Sequence, residues 1–238
     1  MLLILIFTAA VFCAIFWYRI AYRETYKGTF SRVTAPLLIF DFDGTICPSY
    51  GLFIEQVNIL AAEHHFKKIE QHEIESIREM RPLDIMKKLG VSKFKLPFLL
   101  VKARRNIQKQ LLDLKPVPGI ADLLIKLKTS GYSLGILTSN SAENVSLYLE
   151  KHQIDFFDFI YAGNNIFGKE GHLKKILRKS GLQPEQLSYI GDETRDIEAA
   201  HRVQLKSIAV TWGYNSSKLL QESKPSILVD VPSQLISD

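Results

Sequence analysis

"LLIFDFDGTIC", Leu37 to Cys47, sets two carboxylates, Asp41 and Asp43, directly behind an apolar run and directly ahead of Gly44 and Thr45. The run Leu37-Leu38-Ile39-Phe40 follows Pro36, and a short continuous apolar stretch of this kind reads as a strand covered on both faces. Its charged end then falls at the carboxyl edge of a sheet, where open α/β sheets bind their ligands.

Working outward, two patterns follow. From Pro48 to Lys115 the apolar residues recur at helical spacing, and Pro82, Gly90 and Pro97 divide the stretch into several helices. After "KPVPG" strands and helices alternate. Helices are expected at Ile120–Lys128, Ser141–His152, His172–Lys179 and Ile197–Arg202, and strands in "YSLGILTSN", "FDFIYAG", "LSYIGDE", "KSIAVTWG" and "SILVDV". That alternation predicts an α/β fold, a doubly wound parallel sheet with a small all-α cap inserted after its first strand. The expected organisation is a core of residues 36–47 and 116–238 and a helical cap of residues 48–115.

Several of these strands end in polar residues that meet at one edge: Asp41 and Asp43, Thr138 with Ser139, and Asp192 with Glu193. Each has a plain structural reading, since Asp, Ser and Thr also cap helices and open turns. Asp196, four residues after Asp192, equally suits an early helical turn, where negative charge meets the helix dipole favourably. Their convergence on one edge is what points to chemistry.

The ends of the chain carry different information. At 238 residues the chain can fill one good-sized core and a smaller lobe. Its 30 Lys and Arg against 25 Asp and Glu leave an excess of five, too small and dispersed to indicate a nucleic-acid partner. Cys13 and Cys47 have neither CxxC nor zinc-type spacing. The stretch "MLLILIFTAAVFCAIFWY" has no charged side chain before Arg19 and approaches the ~20 residues that span a bilayer. With Trp17, Tyr18 and Tyr22 as interfacial aromatics and Arg19, Arg23, Lys27 and Arg32 on one side only, it reads as a single-pass anchor with the catalytic part in the cytoplasm. The anchor is expected at residues 1–20 and a juxtamembrane linker at 21–35. A cleaved secretory signal fits less well, lacking a basic n-region and an A-x-A site.

Taken in order, "DFDGT", "ILTSN", "FGK" and "GDETRD" resemble the four motifs of the haloacid dehalogenase-like hydrolase superfamily. The helical insert after the first motif is similar to that of its phosphoglycolate phosphatase-like members. The resemblance implies a Mg²⁺-dependent phosphatase acting on a small phosphorylated metabolite through an aspartyl-phosphate intermediate. Asp41 would then be the nucleophile and a metal ligand. Asp43 would be the general acid and base, with its backbone carbonyl on the metal, and Asp192 a further ligand. Thr138, the Ser139 backbone N–H and Lys169 would hold the phosphoryl oxygens, while Asp196 and Glu193 support them. Gly44 and Thr45 would shape the turn around the phosphate. Lys174 and Lys175 compete for the lysine role, but Lys169 sits in the loop at the strand edge, where one cation can reach the phosphate. Phosphoryl transfer needs these parts: an in-line nucleophile, neutralised phosphoryl oxygens and a proton for the leaving alkoxide. A phosphomutase would show the same acids, and a catalytically idle membrane-tethered scaffold could keep the fold.

Overall fold

The computed structural model describes residues 25–92, 95–163 and 169–236. Thr25–Gly28 (β1) and Leu37–Phe40 (β2) come first, followed by the helices Tyr50–His64 (α1), Ile74–Arg78 (α2), Pro82–Leu89 (α3) and Leu96–Leu111 (α4). Ile120–Thr129 (α5), Ser133–Thr138 (β3), Ala142–Lys151 (α6) and Phe159–Ala162 (β4) then begin the alternation. It continues through Glu170–Ser180 (α7), Leu187–Gly191 (β5), Thr194–Arg202 (α8), Lys206–Val210 (β6), Ser217–Glu222 (α9) and Ile227–Val229 (β7).

The strands form a seven-stranded sheet in the order β1-β4-β3-β2-β5-β6-β7, parallel except for β1. The chain builds outward from β2 to β3 and β4, then returns to lay β5, β6 and β7 on the other side. The winding therefore reverses between β2 and β5, and it is at the carboxyl ends flanking such a reversal that open α/β sheets bind their ligands. Asp41 follows β2 and Asp192 follows β5, one on each side of that reversal.

β2 is apolar throughout because both faces are covered. Leu38 and Phe40 pack with Leu134, Ile136 and Val145, whereas Leu37 and Ile39 pack with Leu137, Tyr189 and Ala200. Successive strand side chains point to opposite faces, so an uninterrupted run serves two cores. Helices α5 and α6 close the first face, and α7 and α8 the second. The helices between β2 and α5 have an apolar centre of their own, built on Ile54, Ile69, Ile77 and Leu89.

Two expectations are corrected. Part of the stretch expected to be a juxtamembrane linker is the edge strand β1, which pairs with β4 from Thr25↔Ala162 to Gly28↔Phe159. Tyr26 stacks on Phe30 with ring centroids 5.0 Å apart and meets Phe159 at 6.2 Å. The expected membrane location with a cytoplasmic catalytic domain is also withdrawn. The apolar segment 1–20 lies outside the described residues, and among the described residues no helix is long and apolar enough to cross a membrane. The two longest, α1 and α4, have 15 and 16 residues against the ~20 a span requires, and α4 carries Lys102, Arg104, Arg105 and Lys109 in its sequence.

Candidate active site

Asp41 is fixed before its side chain does anything. Its backbone N–H donates to the Ile190 carbonyl at 2.8 Å, which ties the end of β2 to β5. Its Oδ1 accepts from the Phe42 N–H at 2.7 Å, and its Oδ2 lies 2.5 Å from the Lys169 ammonium. Lys169 is only 1% exposed, immediately ahead of α7, and its Nζ also donates to Asp196 Oδ1 at 2.8 Å. Asp196 sits in the first turn of α8, where its Oδ2 accepts from the Glu193 N–H at 3.1 Å in a capping box with Glu193 as N-cap. One carboxylate thus caps a helix and anchors a lysine.

The Asp192 side chain is held by a donor on each oxygen. Its Oδ1 accepts from the Thr45 hydroxyl and its Oδ2 from the Tyr214 N–H, both at 2.8 Å. Two glycines make room for it. A Cβ on Gly44 would fall 2.1 Å from Asp192 Oδ2, and Gly44 has a φ of +80°, which only glycine adopts without strain. A Cβ on Gly213 would lie 2.3 Å from the Asp192 side chain.

One oxygen each from Asp41, Asp192 and Asp196 lies within 4.8 Å of the others, and all three residues are buried. Lys169 faces these three buried carboxylates while the half-buried Arg195 guanidinium nearby is matched by its own partner Glu193, so negative charge is in excess. Burial pushes the Asp41 carboxyl up to about 7, although Lys169 pulls it down. Burial, followed by the charges on Asp41, Glu193 and Asp196, lifts Asp192 well above the usual carboxylate range. For Lys169 burial works against the charge, yet Asp196 and Asp41 outweigh it and hold the ammonium above its ordinary value. An all-oxygen donor set with surplus negative charge fits a hard divalent cation such as Mg²⁺, which would lower the carboxylates again.

Asp43 lives in a different environment. It is half-buried, with Oδ1 accepting from the Ser49 hydroxyl at 2.9 Å and Oδ2 from the Asn140 side-chain amide at 3.1 Å. Among the described residues the carboxylates grouped closely enough to share a cation are those of Asp41, Asp192 and Asp196, and that of Asp43 is not one of them. Thr138 is fully buried at the end of β3, its hydroxyl oxygen accepting from the Asn140 N–H at 3.0 Å, and Ser139 is half-buried in the bend that follows. Of the three lysines, Lys169 touches the acids. Lys174 pairs with Glu170 at 2.6 Å on the outside of α7, and Lys175 is half-exposed one position on. Phe167 and Gly168 of the "FGK" motif lie outside the described residues.

Sequence reading missed Ser49, Asn140 and Gly213. Asn140 was within the quoted "ILTSN", but its contact with Asp43 spans 97 residues. Gly213 sits between Trp212 and Tyr214 after a strand, a cue for close backbone approach. The N-cap of α6 is Ser141, which accepts from the Asn144 N–H, so Ser139 and Asn140 are free of that duty.

Comparison with known proteins agrees with this geometry. A family model described as haloacid dehalogenase-like hydrolase matches residues 38–210. The chain is 34% identical over 200 residues to a phosphoglycolate phosphatase of Synechococcus elongatus, covering 84% of this chain and 94% of that one. It is 32% identical over 123 residues to a phosphoglycolate phosphatase of Salmonella choleraesuis, a match spanning about half of either chain, 50% and 49%. Among solved structures, a haloacid dehalogenase-like hydrolase family protein from Streptococcus pneumoniae superposes with a TM-score of 0.72 at 24% identity, covering 87% of this chain and 98% of that one. That likeness concerns the fold.

Proposed function

Because the chain belongs to the haloacid dehalogenase-like hydrolase family, as a phosphoric monoester hydrolase of the phosphoglycolate phosphatase-like kind, we propose that it cleaves a small phosphate monoester through a phosphoryl group carried on Asp41. The supporting observation is the placement of charge. Burying three carboxylates around one lysine does not stabilise a core, so such a cluster at the carboxyl edge of the sheet points to a functional site.

In the first half-reaction an Asp41 oxygen attacks phosphorus, the ester P–O bond breaks, and the departing alkoxide takes a proton from Asp43. In the second, Asp43, now a carboxylate, takes a proton from water as the water oxygen attacks phosphorus. The P–O bond to Asp41 then breaks, returning the carboxylate and inorganic phosphate. The two acids can divide this work because their settings differ. Lys169 fixes Asp41 in a buried site, while Asp43 is half-exposed and oriented by Ser49 and Asn140. Lys169 and the Thr138 hydroxyl offer donors where phosphoryl charge develops, and the Ser139 backbone N–H can add a third. Asp196 keeps Lys169 aimed. Asp41 and Asp192 would hold Mg²⁺ with Asp196 beside them and the Asp43 carbonyl completing the set. When bound, the cation supplies neutralisation of the phosphoryl oxygens.

Phosphate release by the full chain from a panel of phosphorylated metabolites, with 2-phosphoglycolate first because of the relatives' activity, tests the reading. Release that needs Mg²⁺ and vanishes in Asp41→Asn is expected. Isomer formation without phosphate release would replace hydrolysis by phosphomutase chemistry, and no activity above the Asp41→Asn control would leave a binding protein. Binding can be read without turnover: Mg²⁺ should raise the unfolding temperature of the wild type by mass action and fail to do so in Asp192→Asn.

A further inference from the structure

Arg78, the last residue of α2, joins the cap directly to the catalytic edge. Its Nη2 donates to the carbonyls of Thr211 and Gly213, both at 3.0 Å, and its Nε reaches the Tyr214 carbonyl at 3.4 Å. Bonds also run the other way. The Ser216 N–H donates to the Arg78 carbonyl at 3.0 Å, and the Asn215 side-chain amide reaches the same oxygen at 3.5 Å. The guanidinium is half-buried, 5.8 Å from the centre of the Tyr50 ring, with Nη1 3.4 Å from Glu75.

The loop it grips leads to the acids at nearly every residue. Trp212 Nε1 donates to the Thr45 carbonyl at 3.1 Å, and Gly213 lies against the Asp192 side chain. The Tyr214 N–H donates to Asp192 Oδ2, and its hydroxyl is 3.1 Å from the Ser49 oxygen that serves Asp43. The Asn215 N–H donates to the Asp192 carbonyl at 3.2 Å, while its side-chain oxygen accepts from the N–H of Thr194, two residues before Asp196. Carbonyls in an irregular loop have no ladder to satisfy them and need donors from elsewhere. A guanidinium spreads five N–H groups over a rigid plane and here serves three carbonyls at once, whereas the three donors of an ammonium sit on one atom and cannot span the same fork.

We propose that Arg78 is a positioning residue for the catalytic edge. Delivered by the cap, it fixes residues 211–215 and, through the Tyr214 N–H, the aim of the Asp192 carboxylate, so that the cation site is fully formed only while the cap is seated. This rests on the reading of Asp192 as a cation holder. A plain staple between cap and core is the competing account, and the interface supplies its own control. Arg81 pairs with Glu198 at 3.0 Å and Lys218 with Glu79 at 3.2 Å, tying the same two parts together through side chains on α8 and α9.

The full chain, as wild type, Arg78→Ala, Arg78→Lys and Lys218→Met, is compared by amide hydrogen exchange without metal and by the Mg²⁺ concentration that half-saturates phosphate release. In Arg78→Ala, exchange in residues 211–216 should quicken while β5 and β6 keep wild-type protection. The half-saturating Mg²⁺ should rise about 10- to 100-fold, the range for removing a group that orients a metal ligand. KM for the phosphate ester at saturating Mg²⁺ should move far less. Arg78→Lys should fall between, and Lys218→Met should match wild type in both readouts. Unchanged loop exchange in Arg78→Ala overturns the proposal, as does an equal effect of Lys218→Met. Should Arg78→Ala fail to fold, Arg78→Lys carries the same comparison, and wild-type loop exchange and Mg²⁺ response there overturn the proposal. A wild type indifferent to Mg²⁺ would refute Asp192 as a cation holder, and the exchange arm, which needs no metal, still decides for or against Arg78.

Discussion

The carboxyl edge of the sheet and the centre of the cap bury opposite kinds of group. At the edge, Asp41, Asp192, Asp196 and Lys169 are all nearly inaccessible, within reach of one another. In the cap, Ile54, Ile69, Ile77 and Leu89 are buried together, and the ion pairs of Glu73 with Lys67 and Lys88 stay outside that centre. A cap arranged this way gains stability from its interior in the ordinary manner. The edge holds charge where burial disfavours it and balances it only in part, which suits a site that is to receive a cation and a phosphate. Where a protein buries unbalanced charge shows where it acts; where it gathers apolar side chains shows where it holds together.

Four substitutions would break or sharpen this contrast. Asp41→Asn should lower turnover by at least about 10³-fold, as expected for loss of a nucleophile, while cooperative unfolding persists; steady-state phosphate release against thermal unfolding checks both. Lys169→Ala leaves buried acids without their counter-charge, which typically costs about 3–5 kcal/mol, and turnover should collapse with it. Lys174→Ala, removing only an exposed pair with Glu170, should match wild type in denaturant unfolding and in rate. In the cap, Leu89→Ala should cost about 2–5 kcal/mol through lost burial and the cavity left behind, measured by denaturant unfolding. Its effect on the rate should be much smaller than that of either edge substitution.

A further, small effect is electrostatic. The Glu70 N–H, then Lys88 and Lys67, hold the Glu73 carboxyl down to about 2 from an ordinary 4.5. A carboxyl depressed on folding adds stability that is complete above its ordinary value and fades as pH falls toward its folded one. Cap stability should therefore weaken between about pH 4.5 and 2, and Glu73→Gln should flatten that part of the wild-type profile. A profile unchanged by the substitution would show that the pairs on the cap surface contribute nothing.

How much could be read in advance depended on how far each signal had to reach. The β2 strand, its acid terminus and the alternation that follows were legible because apolar periodicity and strand ends are local. Helix boundaries near the site were less so. α8 begins at Thr194 rather than near Ile197, because Glu193 and Asp196 complete a capping box that places the acid within the first turn. Asp196 thus serves the helix and grips Lys169, so its two readings do not compete. β1 was read as a linker because four mostly polar residues carry no pattern of their own. Its partner β4 lies more than 130 residues away, and only that pairing and the aromatic stack on Phe30 and Phe159 give it a place.

By itself the sequence determined an α/β sheet with acids at its carboxyl edge and a helical insert after the first strand, since those follow from local spacing and chain order. The tertiary structure decided which lysine faces Asp41, that Asp43 accepts from Ser49 and Asn140, and that a loop between Thr211 and Asn215 joins the cap to Asp192. Apart from the bond between Ser49 and Asp43, those are contacts between residues tens to more than a hundred positions apart. Burial and charge select them only after the sheet has brought its strand ends together.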